Sequence, residues 1–115
     1  MEKDTLFLLP PGFEDHNRRE FCPECAEIWG VLHYFPAIKE AIDICYQPLA
    51  HPRPELVAML GEGNWNCPTL VLGEGADTGP DAKVETSKEC RFLDNARDIA
   101  KYFAYKYGTP FPRGS

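Results

Sequence analysis

The segment Phe21-Cys22-Pro23-Glu24-Cys25 constrains the fold more than any other, because it sets two thiols at the opening of a helix directly after a turn. Pro23 suits the first helical turn, where a missing N–H costs nothing. Beyond it Ala26, Ile28, Trp29, Leu32 and Phe35 recur at helical spacing, so the expected helix runs from Pro23 to about Tyr34 and ends or kinks at Pro36. A helix start presents unpaired N–H groups and the positive end of the macrodipole. A thiol placed there ionises more readily than a free one, and only the thiolate attacks a disulfide or binds a metal. Cys25 follows one turn later, close enough to resolve a mixed disulfide formed at Cys22. Cys22 is therefore read as the nucleophile and Cys25 as the resolving thiol; the competing reading is an inert pair on a fold that no longer exchanges disulfides.

The rest of the chain supplies a sheet for this helix. Thr5-Leu6-Phe7-Leu8-Leu9, ended by Pro10-Pro11-Gly12, is a continuous apolar run that fits a strand buried on both faces. Glu14 to Glu20 reads as a polar loop, and a helical turn at Ala37–Ala41 precedes a strand from Ile42 to Tyr46. Pro54 to Leu60 is a helix closed by Gly61. Thr69–Leu72 is a strand opened by Cys67-Pro68, and Gly73 to Glu89 is an exposed excursion with little to bury. Arg91–Leu93 is a short strand, followed by a helix capped by Asp94 or Asn95 and ended near Gly108. The order β-α-β-α-β-β-α predicts an α/β three-layer domain over 1–108, with a mixed four-stranded sheet, flanking helices and a tail over 109–115.

Composition narrows the class. A chain of 115 residues with 43% apolar and 26% charged residues is ordinary for a single globular domain. A net charge of −6 with scattered basic residues disfavours nucleic acid and anionic membranes as partners. No apolar run approaches the ~20 residues of a membrane span, and Met1 to Pro11 lacks the pattern of a secretory signal. Five cysteines, an odd number without an export signal, argue for reduced thiols and a cytoplasmic setting.

A strand leading to C-P-x-C at a helix start, then a β-α unit and an apolar strand opened by X-Pro, resembles the thioredoxin superfamily, the glutaredoxins and glutathione-transferase N-terminal domains in particular. Asp4–Phe13, Phe21–Cys25, Arg53–Gly61 and Cys67–Leu72 also look like a family of small, uncharacterised bacterial thioredoxin-like proteins. The resemblance implies a thioredoxin-like fold with Pro68 in the cis form beside Cys22. It also implies that the backbone of Cys67 pairs with an extended thiol substrate. Cys67 stands where those families usually carry Thr, Val or Ile, and the chain between the first strand and Cys22 is longer than theirs. In glutathione-binding relatives the last strand-to-helix turn holds the γ-glutamyl group, so Asp94 and Asn95 become candidate glutathione contacts; a plain helix cap is the alternative.

Other residues could join the site. Trp65 could wall a substrate or simply cover the core. Cys67 is either a small packed thiol or, with Cys22, Cys25 and a fourth ligand such as His16, part of a zinc or iron–sulfur site. Cys45, among Ile42, Ile44 and Tyr46, reads as core. The helix start and Arg18 or Arg19 would favour a Cys22 thiolate while Glu20, Glu24 and Glu27 oppose it, so the expected couple is reducing. These readings predict a cytoplasmic thiol-disulfide oxidoreductase acting on a protein or small-molecule disulfide and requiring no cofactor. The alternatives are a non-catalytic thioredoxin-like binding module, which could carry metal, and a glutathione-dependent protein.

Overall fold

The structure, a computed structural model, describes residues 3–51 and 53–114; Met1, Glu2, Pro52 and Ser115 lie outside the described residues. Thr5-Leu6-Phe7-Leu8 forms strand β1 (Thr5–Leu8). Successive strand residues point to opposite faces, yet Leu6, Phe7 and Leu8 are all 2% exposed or less, so both faces of the sheet are covered there. Strand β1 pairs in parallel with β4 (Asp43–Tyr46) and antiparallel with β5 (Thr69–Val71). Beyond β5 come β7 (Cys90–Leu93) and β6 (Glu85–Ser87), both antiparallel. The sheet order is β4-β1-β5-β7-β6.

The sheet therefore has five strands rather than the four expected. The added strand, β6, comes from the end of the 73–89 stretch that reads as an exposed excursion. Its turn onto β7 places Lys88 and Glu89 at φ 49° and 66°. A two-residue turn of that handedness matches strand twist but is usually announced by Asn-Gly or Gly, and neither is present. The same applies to 14–20, where a two-stranded hairpin replaces the expected loop: β2 (Phe13–Asp15) and β3 (Arg18–Glu20) turn through His16 and Asn17 at φ 52° and 60°.

Four helices complete the described elements. Helix α1 (Pro23–Tyr34) ends where α2 (Pro36–Ala41) begins, with Pro36 in the first turn of the new helix. Helix α3 (Pro54–Leu60) closes at Gly61, and α4 (Ala96–Tyr107) is capped by Asn95 and closed by Gly108 in the left-handed region. Helices α1 and α4 pack against each other, and one core joins Ile28 and Leu32 of α1, Leu56 and Leu60 of α3, and Ile99 and Phe103 of α4 to the sheet. Among the described residues no helix is long and apolar enough to cross a membrane.

The rest of the 73–89 stretch is tied to α4. Gly79, at φ 67°, lies under the Tyr105 ring so closely that a Cβ there would come within 2.5 Å of it. The Tyr105 hydroxyl donates to Asp77 Oδ2 at 2.7 Å, and Lys83 N donates to Asp98 Oδ1 at 3.2 Å.

A buried carboxylate holds the N-terminal end of β1. Asp4 accepts from Gly73 N at 2.7 Å through Oδ1, and from the Tyr102 hydroxyl at 2.6 Å and Lys106 Nζ at 3.3 Å through Oδ2. Removing it leaves a buried hydroxyl and amide without an acceptor, so Asp4→Ala is expected to cost about 3 kcal/mol in urea unfolding, against less than about 1 kcal/mol for Lys106→Ala at the rim. Burial, then the bond to Asp4, raises the Tyr102 phenol above its ordinary value of 10.0. The unfolded chain thus loses this proton first, and the associated stability, full below pH 10, falls as the pH rises beyond it. Alkaline denaturation of Tyr102→Phe should show a shallower decline over that range.

Candidate functional site

Cys22 is the N-cap of α1: its backbone is extended and its sulfur accepts from Cys25 N at 3.2 Å. The expected helix start is therefore formed, and it presents its first free N–H groups to that sulfur. Cys22 is partly exposed, whereas Cys25 is buried. Burial raises the Cys25 thiol well above its ordinary range, its contact with Cys22 adds to that, and a backbone bond from Leu9 partly offsets it. On the other side the Cys22 sulfur faces the Cys67 carbonyl at 3.8 Å. The Cys67–Pro68 bond is cis.

The carboxylates expected to oppose charge on Cys22 are each engaged elsewhere. Glu20 is bonded by Arg18 Nε at 2.8 Å and lies 3.4 Å from His16 Nδ1, and these partners, Arg18 foremost, hold its carboxyl below the usual range. Glu27 pairs with Arg97 at 3.0 Å. Glu24, the second middle residue of the C-P-E-C, reaches α4, where its Oε1 accepts from Ala96 N at 3.1 Å. Asn95 Oδ1 accepts from Asp98 N at 2.9 Å, so Asn95 rather than Asp94 is the side-chain cap. Asp94 uses its carbonyl to accept from Asn66 at 2.6 Å.

A cleft of about 380 Å³ opens beside the two thiols. The turn after β1, Leu9-Pro10-Pro11, forms one wall; Trp29 and Ala26 of α1, Phe21 and Tyr46 complete it with Cys22 and Cys25. No Asp, Glu, Lys, Arg or His lines the cleft. Phe21 and Tyr46 are 60% and 45% exposed although large and apolar. These wall residues come from separate parts of the chain, the turn after β1, the start and middle of α1 and the end of β4, so their convergence has no signature in the linear pattern; Trp29 reads simply as part of a helix face.

Trp65 is not among the cleft residues. It stacks on His51 with ring centroids 4.7 Å apart, and its carbonyl accepts from Arg53 Nη1 at 2.7 Å. Arg53 is buried at 7% exposure and also donates to the carbonyls of Pro48 and Leu49 at 3.0 Å each. Its guanidinium thus clamps the chain entering Cys67-Pro68 to the segment after β4. Burial pushes the Cys67 thiol up to about 11, with Arg53 acting against the rise. Arg53 was legible only as the residue before a helix proline. Cys45 departs from the core placement expected: it is partly exposed, donates to Glu55 Oε2 at 3.1 Å, and is raised to about 11 by burial and then by that carboxylate.

Among the described residues the sulfurs of Cys22, Cys25 and Cys67 are not part of a donor group lying mutually within 4.8 Å; the donor atoms that are belong to Asp15, His16 and Glu20 on the β2–β3 hairpin.

Timed labelling with iodoacetamide at pH 8, read by peptide mass, should modify Cys22 ahead of Cys25, Cys45 and Cys67, because Cys22 is partly exposed at a helix start whereas the other three thiols are raised above their ordinary range. In Arg53→Met, loss of three buried hydrogen bonds should lower stability by about 3 kcal/mol, and Cys67 should become harder to ionise when unfolding is kept negligible.

No curated protein and no solved structure matches the chain. The family model described as protein of unknown function (DUF3088) matches residues 3–111. Since that span takes in both thiols of the helix start, the cis-proline strand and the closing helix, the chain, site included, belongs to this family.

Proposed function

We propose that this protein is a thiol-disulfide oxidoreductase of thioredoxin-like type, working in the cytoplasm without a bound cofactor. The observation that carries the reading is the Cys22 sulfur: partly exposed, at the start of α1, accepting from Cys25 N at 3.2 Å, with a buried second thiol one turn behind it. A nucleophile in the open and a resolving thiol shielded from solvent is the division of labour that exchange requires.

The electron and atom balance is simple. The Cys22 thiolate attacks one sulfur of a substrate disulfide, forming a Cys22–substrate bond and releasing the other half as a thiolate that takes up a proton. Cys25 then gives up its proton and attacks the Cys22 sulfur. The second substrate half leaves as a thiol, and the protein is left with a Cys22–Cys25 disulfide. An external dithiol returns both cysteines to the reduced state. The raised Cys25 thiol delays the second step until the first is complete. The carboxylates of Glu20, Glu24 and Glu27, each held by its own partner, leave the helix start free to stabilise the attacking sulfur.

Reduction of insulin and of 2-hydroxyethyl disulfide by dithiothreitol should be accelerated by the protein. Cys22→Ser should fall to the uncatalysed rate. Cys25→Ser should accumulate a mixed disulfide at Cys22, visible by mass. Equal rates for wild type and Cys22→Ser with both disulfides would refute the reading.

A further inference from the structure

Resting on the exchange chemistry above, we infer that the substrate is a low-molecular-weight disulfide carrying an uncharged, apolar group beside its sulfur, and that Glu24 bars anionic thiols such as glutathione from the site. The cleft and the neighbouring helix start carry this together. A group attached to a sulfur that bonds to Cys22 must lie in the space adjoining that atom. The cleft adjoining it is bordered by Pro10, Pro11, Phe21, Trp29 and Tyr46, with no Asp, Glu, Lys, Arg or His in its walls. Its volume of about 380 Å³ falls in the small-molecule range. A carboxylate placed there would lose its hydration without gaining a cation, which is unfavourable.

An anionic thiol would need an anchor nearby; Lys39 Nζ lies 5.2 Å over the Trp29 ring but does not line the cleft, and the other candidates are in use. A helix N-terminus is the usual place for a carboxylate. At α4, however, Ala96 N is bonded to Glu24 at 3.1 Å and Asp98 N to Asn95 at 2.9 Å. Glu24 is anchored in the C-P-E-C itself, so the protein supplies its own carboxylate where a substrate's would bind. Arg53 is committed to three backbone carbonyls, Arg18 to Glu20, and Arg97 to Glu27. Arg19 has no ion pair among the described residues, but it lies with Arg18 and Pro23 on an open face next to the cleft and does not line it.

The test uses the full chain, reduced, with 2,2′-dithiodipyridine (neutral, aromatic), glutathione disulfide and insulin. Each rate is divided by that of dithiothreitol with the same disulfide, which removes intrinsic reactivity. The neutral aromatic disulfide should be preferred over glutathione disulfide by at least about tenfold. Glu24→Ala, which frees Ala96 N, should raise the glutathione disulfide rate about tenfold relative to the aromatic one. Glu24→Gln, which still offers an acceptor to Ala96 N, should retain the exclusion; it also guards against a folding defect in the alanine variant. Tyr46→Ala, which removes a cleft wall without adding charge, should slow the aromatic disulfide more than glutathione disulfide. If Cys22 reacts with all three in the proportions of dithiothreitol, and Glu24→Ala changes nothing, the substrate assignment falls while exchange stands. A normalised preference for insulin, or a glutathione rate that depends on Arg19, overturns it as well. Failure to form a Cys22–Cys25 disulfide with any of them removes the exchange reading itself, and the inference with it.

Discussion

Strand β1 is paired along both edges and covered on both faces, and among the described strands it joins the parallel pair to the antiparallel half. A central strand must satisfy every backbone donor and acceptor through neighbours, since water cannot reach them. Here β4 supplies one set and β5 the other, so the parallel crossover and the antiparallel half are both fastened to a four-residue segment. Its two ends carry the polar and apolar focal points of the molecule. Asp4, just before it, gathers Gly73, Tyr102 and Lys106 into a buried network. Leu9-Pro10-Pro11, just after it, walls the cleft beside Cys22. The site is held at one end of a strand whose other end is anchored to α4.

That strand was legible because an uninterrupted apolar run bounded by prolines has few other uses. The helices were legible for related reasons: Pro23, Pro36 and Pro54 mark first turns, and Gly61 and Gly108 mark ends. What escaped were the β2–β3 hairpin and strand β6. These strands are short, polar and mostly exposed, so hydrophobic alternation carries no signal, and the turns that pair them put His16, Asn17, Lys88 and Glu89 in the left-handed region without a glycine among them. Local pairing with a neighbouring strand overrode residue preference there.

The thiol pair could be read directly, and so could the cap of the last helix to within one residue. The parts of the site that come from tertiary closure could not. Glu24 looks like a charge opposing a thiolate, but its carboxylate is turned onto α4, 72 positions along the chain. Arg53 looks like a loop cation and is instead a buried clamp. In both cases a long side chain with several possible partners found one that only the packed molecule defines. Of the carboxylates around the C-P-E-C, Glu20 is paired locally with Arg18, whereas Glu24 and Glu27 are engaged by Ala96 N and Arg97 through contacts that have no counterpart in local spacing.

The Gly79–Tyr105 contact has a further implication. The stretch between β5 and β6 is rich in polar residues, and an aromatic ring from the closing helix seats on Gly79, where there is no Cβ to hold it off. Its shape is therefore borrowed from α4: any change of length or content in this stretch must preserve the flat seat for that ring.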